Sequence, residues 1–382
     1  MGFTSQDNLI ESISAGQAAH FDGSKITSPV HTAGGWHSLF GYNGFPNAST
    51  YPGTDLLFRA CTEAGGDGTA FPGVPHGGPI ESGAVTKHLT ALSALVVAAA
   101  GAPWQIKVVD LEGYYRLSTT NVTGTGSRVL INTNTFTADA GTDLLTYTND
   151  WAPYTKVQFT TTTTLPAGLS LATDYWLVRQ SATTAKVATS YANAVAGTTV
   201  DITSTGTGTH TLTIQMRSPF GAGVEACFVV QTAPTAGGPN LTASSYTSTA
   251  GTPARAFQGS PTMGAAADAY AGRILHSGNA AGRYGAFLPK QGADTGIRSI
   301  ESFTWSAGTA YTGSGVVALA LMRPLADIIV PATGALSERD LVNQIMSLPR
   351  VRDGACLGFL MFGTGATTAN SPVTLTLDAA WD

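Results

Sequence analysis

A long threonine-rich block in the middle of the chain limits the folds available to it more than any other feature. Between Ser118 and Met216 the sequence is dominated by Thr, Ser, Ala and Asn, and strand-like runs alternate with clusters of Gly, Asn and Pro. Thr favours strands because its branched β-carbon fits a pleated surface, and Gly, Asn and Pro favour turns. The block therefore predicts a small all-β domain of about five to seven strands.

The sequence on either side of this block has a different character. Residues 105–115 and 224–231 are short runs of apolar residues bounded by turn residues, which predict buried strands of one body. We therefore predict a discontinuous body formed by residues 1–118 and 217–382. Residues 119–216 are then an inserted β module that projects from the surface of this body.

The body itself is predicted to be mainly β. Further strand patterns lie at residues 297–306, 315–321 and 357–362, and residues 22–83 are rich in Gly, Pro and Asn, which predicts long ordered loops. Helices are expected at residues 5–21 with Ser5 as N-cap, at 84–100, and at 337–348 with Ser337 as N-cap. The expected fold is a β-sandwich or jelly-roll-like body with a few helices.

The charge content indicates what kind of surface this protein has. Only 11% of the residues are charged, against roughly 25% in average soluble domains. The 43% of hydrophobic residues exclude a disordered chain. A subunit of a large assembly can cover weakly charged surface with its neighbours, so this composition favours an interface-rich protein.

The same composition argues against several classes of partner. The net charge is −5 and the basic residues are scattered, which disfavours direct nucleic-acid binding. The apolar stretch 91–102 is shorter than the roughly 20 residues that span a bilayer, and the first residues lack a secretory signal pattern. We therefore expect no membrane partner and synthesis in the cytoplasm. The three cysteines, Cys61, Cys227 and Cys356, are expected to be buried thiols.

Several segments of the threonine-rich block carry a resemblance to a known family. They are, in order, NTFT at 134–137, VQFTTTTTLPAGL at 157–169, TDYWLVR at 173–179, AVAG at 194–197 and VDITSTGTGTH at 200–210. This order resembles a small β module of tailed-bacteriophage structural proteins, where it is an addition to shell, decoration, tail-tube and fibre proteins. The resemblance implies a protein of the virion and brings no active site.

The flanking body also resembles phage virion proteins that have no assigned role. The similarity lies in the segments TSPVHTAGGW at 27–36, DLEGYY at 110–115, GRYGAFLP at 282–289 and DLVNQIMSLPR at 340–350. It implies the same bacteriophage setting, with synthesis in a bacterial host and a final place in the particle. Within the virion, the capsid is the expected location.

No arrangement of residues indicates catalysis. His31 and His37 flank a Gly-rich loop but lack the further ligands that a metal site needs. Asp110 and Glu112 share a face of a predicted strand, and strand-end capping or an interface salt bridge with an Arg explains them better than acid–base chemistry. The sequence contains no phosphate-binding loop and no Gly-x-Ser-x-Gly nucleophile motif. We expect a protein that is not an enzyme and holds no cofactor or metal.

The residues expected to matter are therefore those of interfaces. Aromatic and Arg side chains on Gly- and Pro-rich loops are candidate anchors, with core packing as an equal alternative for the aromatic ones. The candidates are Trp36, Tyr51, Arg283, Tyr284, Phe287 and Arg350. The partners expected are further copies of the chain, a trimer being one form, and the major capsid protein or other virion proteins.

Three functions are thus compatible with the sequence. The leading one is a capsid decoration or cement protein, which stabilises the head through contacts between subunits. A tail component, such as tube or fibre, or the major capsid subunit itself is the structural alternative. Binding of host-surface glycans by the module, through Tyr175, Trp176 or Tyr191, is an alternative of another class.

Overall fold

The computed structural model shows a protein built mainly of antiparallel β-sheets, which confirms the predicted fold class. It describes residues 3, 5–27, 33–40, 43–45, 54–61, 86–97, 103–118, 126–232, 241–259, 271–275, 285–305, 315–344 and 347–381. No helix in these residues is both long and apolar enough to cross a membrane.

The elements follow one another in three groups. Before the barrel come α1 (Gln6–Ser14), β1 (Ala18–Thr27), β2 (Gly35–Ser38), β3 (Asn43–Phe45), β4 (Phe58–Ala60), β5 (Lys87–Val96), β6 (Trp104–Ser118) and β7 (Gly126–Val129). The barrel contains β8 (Thr133–Asp139), β9 (Leu144–Thr146), β10 (Lys156–Thr161), β11 (Tyr175–Arg179), β12 (Thr184–Ala188), α2 (Tyr191–Val195) and β13 (His210–Ile214).

The chain then returns to the body. This last part contains a 3₁₀ turn (Pro219–Gly221), β14 (Glu225–Thr232), β15 (Leu241–Ser248), β16 (Ile274–Leu275), β17 (Ile297–Trp305), β18 (Val316–Val330), β19 (Leu336–Asp340), α3 (Leu341–Gln344), β20 (Arg350–Val351), β21 (Leu357–Gly363) and β22 (Ser371–Trp381).

Two large sheets form the sandwich of the body. The central sheet has the strand order β16-β14-β18-β6-β21-β2, with β4 also paired to β6. The outer sheet has the order β19-β5-β22-β1-β3, with β20 also paired to β5. Buried side chains of both sheets, such as Phe21 on β1, Leu92 on β5 and Ile106 on β6, form one hydrophobic cluster between them. Burial of this apolar surface holds the two sheets face to face.

The threonine-rich block forms a closed barrel, with the strand order β10-β11-β12-β9-β8-β13. Alternate side chains such as Phe136, Val157 and Leu177 fill its interior, while threonines alternate with them on the outside. The barrel is shorter than the predicted insertion, because β7 (Gly126–Val129) pairs with β17 in a small sheet of the body.

The barrel and the body share a continuous core. Buried residues of both, for example Phe58 of the body and Trp151 of the barrel, belong to one hydrophobic cluster. The Arg59 guanidinium donates to the Asp150 carbonyl across the same region. The two chain ends of the barrel lie side by side, since Ile214 N–H donates to Asn132 O at 2.9 Å.

Two of the predicted helices were wrong in whole or in part. Residues 87–96 form strand β5, in which Leu89, Leu92, Ala94 and Val96 are buried beneath the central sheet. In the C-terminal segment, Leu336–Asp340 is a strand and Leu341–Gln344 is helical, while residues 345–346 lie outside the described part of the chain. Helix propensity of Ala- and Leu-rich segments is a weak preference, which the pairing of these segments with neighbouring strands outweighs.

The remaining helix prediction was correct at its start. Ser5 accepts a hydrogen bond from the Asn8 N–H at 3.1 Å and is the N-cap of α1. The helix ends at Ser14, and residues 18–27, which the sequence places partly in the helix, form strand β1. The predicted loop region 22–83 contains β2, β3 and β4, while residues 28–32, 41–42, 46–53 and 62–85 lie outside the described part of the chain.

The proximity of the barrel's ends generates the first prediction. Replacement of residues 133–214 by a short Gly-Ser-Gly linker is expected to leave a folded body, because Asn132 and Gln215 are already neighbours. Its melting temperature should fall by several degrees, since the shared core loses the barrel's side chains. Circular dichroism with thermal melting measures both effects. An insoluble product, or one without a cooperative transition, would contradict the expectation.

Candidate functional site

The predicted interface residues fall into different environments. Trp36 is buried at 5% exposure, and its ring packs on Phe362 with the Lys107 amine 5.5 Å from the ring centroid. Phe287 is partly buried against the hydrophobic cluster that contains Trp36. Arg350 is exposed and donates to Thr86 Oγ1 at 3.1 Å. Tyr51, Arg283 and Tyr284 lie outside the described residues.

The three residues considered for glycan contact do not form a common surface. Tyr175 is buried in the barrel, and its hydroxyl oxygen accepts from Ser170 N–H at 2.9 Å. Tyr191 is buried against the body at Gly354, where a Cβ atom would come within 2.7 Å of the Tyr191 ring. Trp176 is partly exposed beside the Lys156 amine. Only Trp176 presents part of its ring to solvent.

A groove of about 550 Å³ lies elsewhere on the barrel. It is bounded by β8, by residues 146–148 and by the loop 205–210, and threonines form most of its lining. His210 lies at its edge, and both of its ring nitrogens are already within hydrogen-bond distance of protein oxygens, Thr161 Oγ1 at 2.9 Å and Thr205 O at 3.1 Å. Within the groove lining there is no charged side chain that would select an ionic ligand.

The most strongly organised polar site is inside the body. Asp110 is fully buried, and one of its carboxylate oxygens lies 2.5 Å from Arg217 Nη2 and accepts from Cys356 N–H at 2.9 Å. Glu112 is also buried and accepts from both the backbone N–H and the hydroxyl of Ser218. Arg323 lies 3.7 Å from Asp110 and 3.9 Å from Glu112.

This charge cluster, formed by Asp110, Glu112, Arg217 and Arg323, is structural in its geometry. Burial alone lowers the pKa of Arg217, but the two carboxylates outweigh it and raise that pKa above its ordinary value. Arg217 also donates to the carbonyl oxygens of Leu111 and Cys61, so it links three segments of the chain. Each carboxylate is held by fixed donors in a buried place, which is a poor arrangement for exchanging protons with a substrate.

The sequence predicts that Asp110 and Glu112 cap a strand end or form an interface salt bridge with an Arg. In the structure their Arg partners, Arg217 and Arg323, belong to the same chain. Arg217 escaped the sequence analysis because it lies 107 residues after Asp110, and no local pattern connects the two. The described residues also contain no group of three or more His, Cys, Asp or Glu side chains that could hold a metal ion.

Lys25 is a second buried charge, on the inner face of β1. It is 3% exposed, on the same side of the strand as Phe21. Burial lowers its pKa from 10.5 to about 8. The amine is therefore charged at neutral pH in surroundings that favour its neutral form.

An exposed aromatic side chain stands out on the body's surface. Phe220 is 63% exposed at the centre of the 3₁₀ turn, with a left-handed φ of 53°. The Arg298 guanidinium carbon lies 5.3 Å from its ring centroid. Gly221 fixes the turn on β17, because a Cβ atom there would come within 1.8 Å of the Ile297 carbonyl oxygen. The turn therefore holds an apolar ring outward in a fixed position.

Comparison with known proteins leaves the family of this chain open. No protein-family model matches the chain, and no curated protein matches it. Among solved structures, the chain shows a faint likeness to a chain in the structure of the infectious bursal disease virus Gx strain. That likeness covers 95% of this chain and 81% of the other, with 12% identity and a TM-score of 0.15. A TM-score this low carries no argument about fold or function.

The charge cluster generates the second prediction. Arg217→Met should lower the free energy of unfolding by about 3–5 kcal/mol, because it leaves the Asp110 carboxylate buried without its main partner. The matched control is Arg339→Met, which breaks the more exposed pair with Asp327 and should cost about 1 kcal/mol or less. Urea unfolding measures both. Equal losses would show that burial of the Asp110 pair has no energetic weight.

Lys25 generates the third prediction. Its folded pKa of about 8 lies below its ordinary value of 10.5, so between these pH values the unfolded chain binds more protons than the folded one. Stability therefore rises with pH across this window, by up to about 3 kcal/mol. The stability difference between the natural protein and Lys25→Met should show this rise.

Lys25→Arg is the control, because an Arg side chain keeps its charge throughout this pH range. The stability difference between Lys25→Arg and Lys25→Met should stay flat from pH 8 to 10.5. Urea unfolding at several pH values gives these differences. A flat difference for the natural protein would contradict the assignment of a buried, titrating Lys25.

Proposed function

We propose that this chain is a structural protein of a tailed-bacteriophage particle, and that it acts on the capsid as a decoration or cement protein. It forms a homo-oligomer and stabilises the head by contacts with its own copies and with the major capsid protein. The module-like order of segments in residues 134–210 supports the phage setting. The observation that carries the assembly role is the way in which the chain uses its few charges.

Many of the charged side chains in the described residues form ion pairs within the chain. Acidic and basic side chains pair with each other between distant segments, as in Asp55–Arg116, Asp110–Arg217, Asp143–Lys186, Asp150–Arg179, Asp174–Lys156, Glu225–Lys290, Asp294–Arg255 and Asp327–Arg339. A charge that is paired contributes less to repulsion between molecules than one that faces solvent alone. Pairing thus reduces the number of charges that face solvent alone. Such a surface is compatible with lasting contact with neighbouring subunits.

Exposed apolar side chains accompany this weakly charged surface. On α1, Leu9 is buried towards the body, while Ile10 is 61% exposed and Ile13 46% exposed. Ile10 and Ile13 are three residues apart on a helix and so lie on neighbouring positions of one face. Phe220, with Arg298 beside its ring, is a second exposed apolar site on the surface. Aromatic and Arg side chains are enriched at the energetic centres of protein interfaces.

The fourth prediction tests whether these side chains make subunit contacts. Phe220→Asp should raise the dissociation constant of self-association at least about tenfold, since loss of a central interface aromatic costs about 2 kcal/mol or more and about 1.4 kcal/mol corresponds to a factor of ten. Leu171→Asp is the matched control, because Leu171 is 60% exposed on a turn of the barrel. Sedimentation equilibrium measures both variants. Association of the folded Phe220→Asp protein with unchanged strength would contradict the role of this turn.

The place in the particle is tested on purified virions. Quantitative mass spectrometry gives the copy number of this chain relative to the major shell protein. A copy number comparable to that of the shell protein supports the capsid assignment. A small fraction of it overturns that assignment and favours a tail component, and absence from purified virions overturns the virion role as a whole.

A further inference from the structure

Two of the three cysteines meet where a strand of the central sheet is interrupted. Strand β4 ends with Ala60 opposite Gly113 of β6, and β21 begins with Leu357 opposite Asp110. Both run antiparallel to β6 and lie along the same edge of it, so together they form one strand with a break. Cys61 directly follows β4 and Cys356 directly precedes β21. The two residues therefore occupy the two sides of the break.

The contacts around the break hold the two thiols together. The side chains of Cys61 and Cys356 are in hydrogen-bond contact, and both residues are 0% exposed. Leu111 N–H donates to Cys356 O at 2.8 Å, and Arg217 donates to Cys61 O. The backbone on each side is thus fixed by β6 and by the charge cluster. Cys227 belongs to the same hydrophobic cluster, but it lies on β14, opposite Ala320 of β18, so that β18 and β6 stand between it and the break.

We propose that Cys61 and Cys356 form a disulfide that closes this break when the protein meets an oxidising environment. Each thiol loses its hydrogen, one sulfur–sulfur bond forms, and the two electrons and two protons pass to a small disulfide such as oxidised glutathione, which becomes two thiols. The oxidised protein gains a covalent link that encloses about 300 residues, including the whole barrel. The reaction depends on the fold of the body and not on the proposed virion role.

The surroundings of the two thiols set the conditions of the reaction. Burial, then the hydrogen bond with Cys356, raises the pKa of the Cys61 thiol well above its ordinary range. The attacking species in thiol–disulfide exchange is the thiolate, so the folded protein reacts slowly. Oxidation is expected over hours during incubation of the folded protein, and faster during refolding with oxidised glutathione.

The experiment counts thiols and locates the bond in the full chain. After oxidation and then denaturation, the natural protein should have one cysteine open to alkylation, where the reduced protein has three. Peptide mapping should find Cys61 joined to Cys356, with a mass lower by two hydrogen atoms. The melting temperature should rise by a few degrees and return on reduction. Three alkylated cysteines after both oxidation and refolding, or a bond to Cys227, would overturn the proposal.

Variants separate the bond from general effects of thiol oxidation. Cys227→Ser should keep the shift in melting temperature on oxidation, while Cys61→Ser and Cys356→Ser should lose it. A redox shift that survives in Cys61→Ser counts against the proposal. Should either of these two variants fail to fold, the thiol count and the peptide map of the natural protein decide the question alone.

Discussion

Strands β6 and β18 pair along almost their whole length, and this pairing connects the layers of the body. The two strands run side by side from Trp104 to Ser118 and from Val316 to Val330, at the centre of the central sheet. Side chains of both strands belong to all three hydrophobic clusters of the described residues. These are the cluster between the two large sheets, the cluster shared with the barrel, and a third cluster that contains Trp36 and Tyr114. Loss of this pairing would therefore separate every layer of the body at once.

Two register shifts allow side chains of β6 and β18 to pack in more than one hydrophobic cluster. Glu112 is an extra residue on β6 relative to β18, and Leu325 is an extra residue on β18 relative to β6. Each shift reverses the alternation of side chains along its strand. As a result Ile106 and Tyr115, which would face opposite ways in an uninterrupted strand, point to the same side of the sheet. Without the shifts one of the two clusters on this side would face the wrong way.

The same irregularity explains the position of the charge cluster. Glu112 is the extra residue, and Asp110 lies on β6 between the part that packs on the outer sheet and the part that packs towards the barrel. A strand that changes its alternation leaves a place where regular apolar packing stops. Arg217, where the chain returns from the barrel, lies at this place and pairs with one of the two carboxylate oxygens of Asp110. The charges thus lie where three segments meet, namely the chain leaving the barrel, the end of β4 and the start of β21.

How far the sequence predicts this fold depends on whether the signal is local. The all-β character of the threonine-rich block and the strands around residues 105–115, 224–231, 297–306 and 357–362 were predictable, because alternation and turn residues lie within each segment. Closure of the block into a barrel was not predicted. Strand β5 was not predictable, because its Ala and Leu residues also favour a helix. Its pairing with β19 and β22 makes it a strand. The candidate site shows the same limit. The sequence indicates that Asp110 and Glu112 have a structural role, but their partner Arg217 is brought to them by the topology of the chain.

The barrel packs on the body through a shared core and is not connected to it by the chain alone. Tyr191 of α2 packs on Gly354, which has a positive φ of 68°, so the barrel contacts the turn just before β21. A side chain at position 354 would have to displace the Tyr191 ring, and a left-handed backbone there already favours glycine. The Arg59 contact with Asp150 anchors the barrel at a second point. A barrel held by these contacts, with its core continuous with that of the body, can move relative to the central sheet only if the contacts break and part of the shared core is exposed.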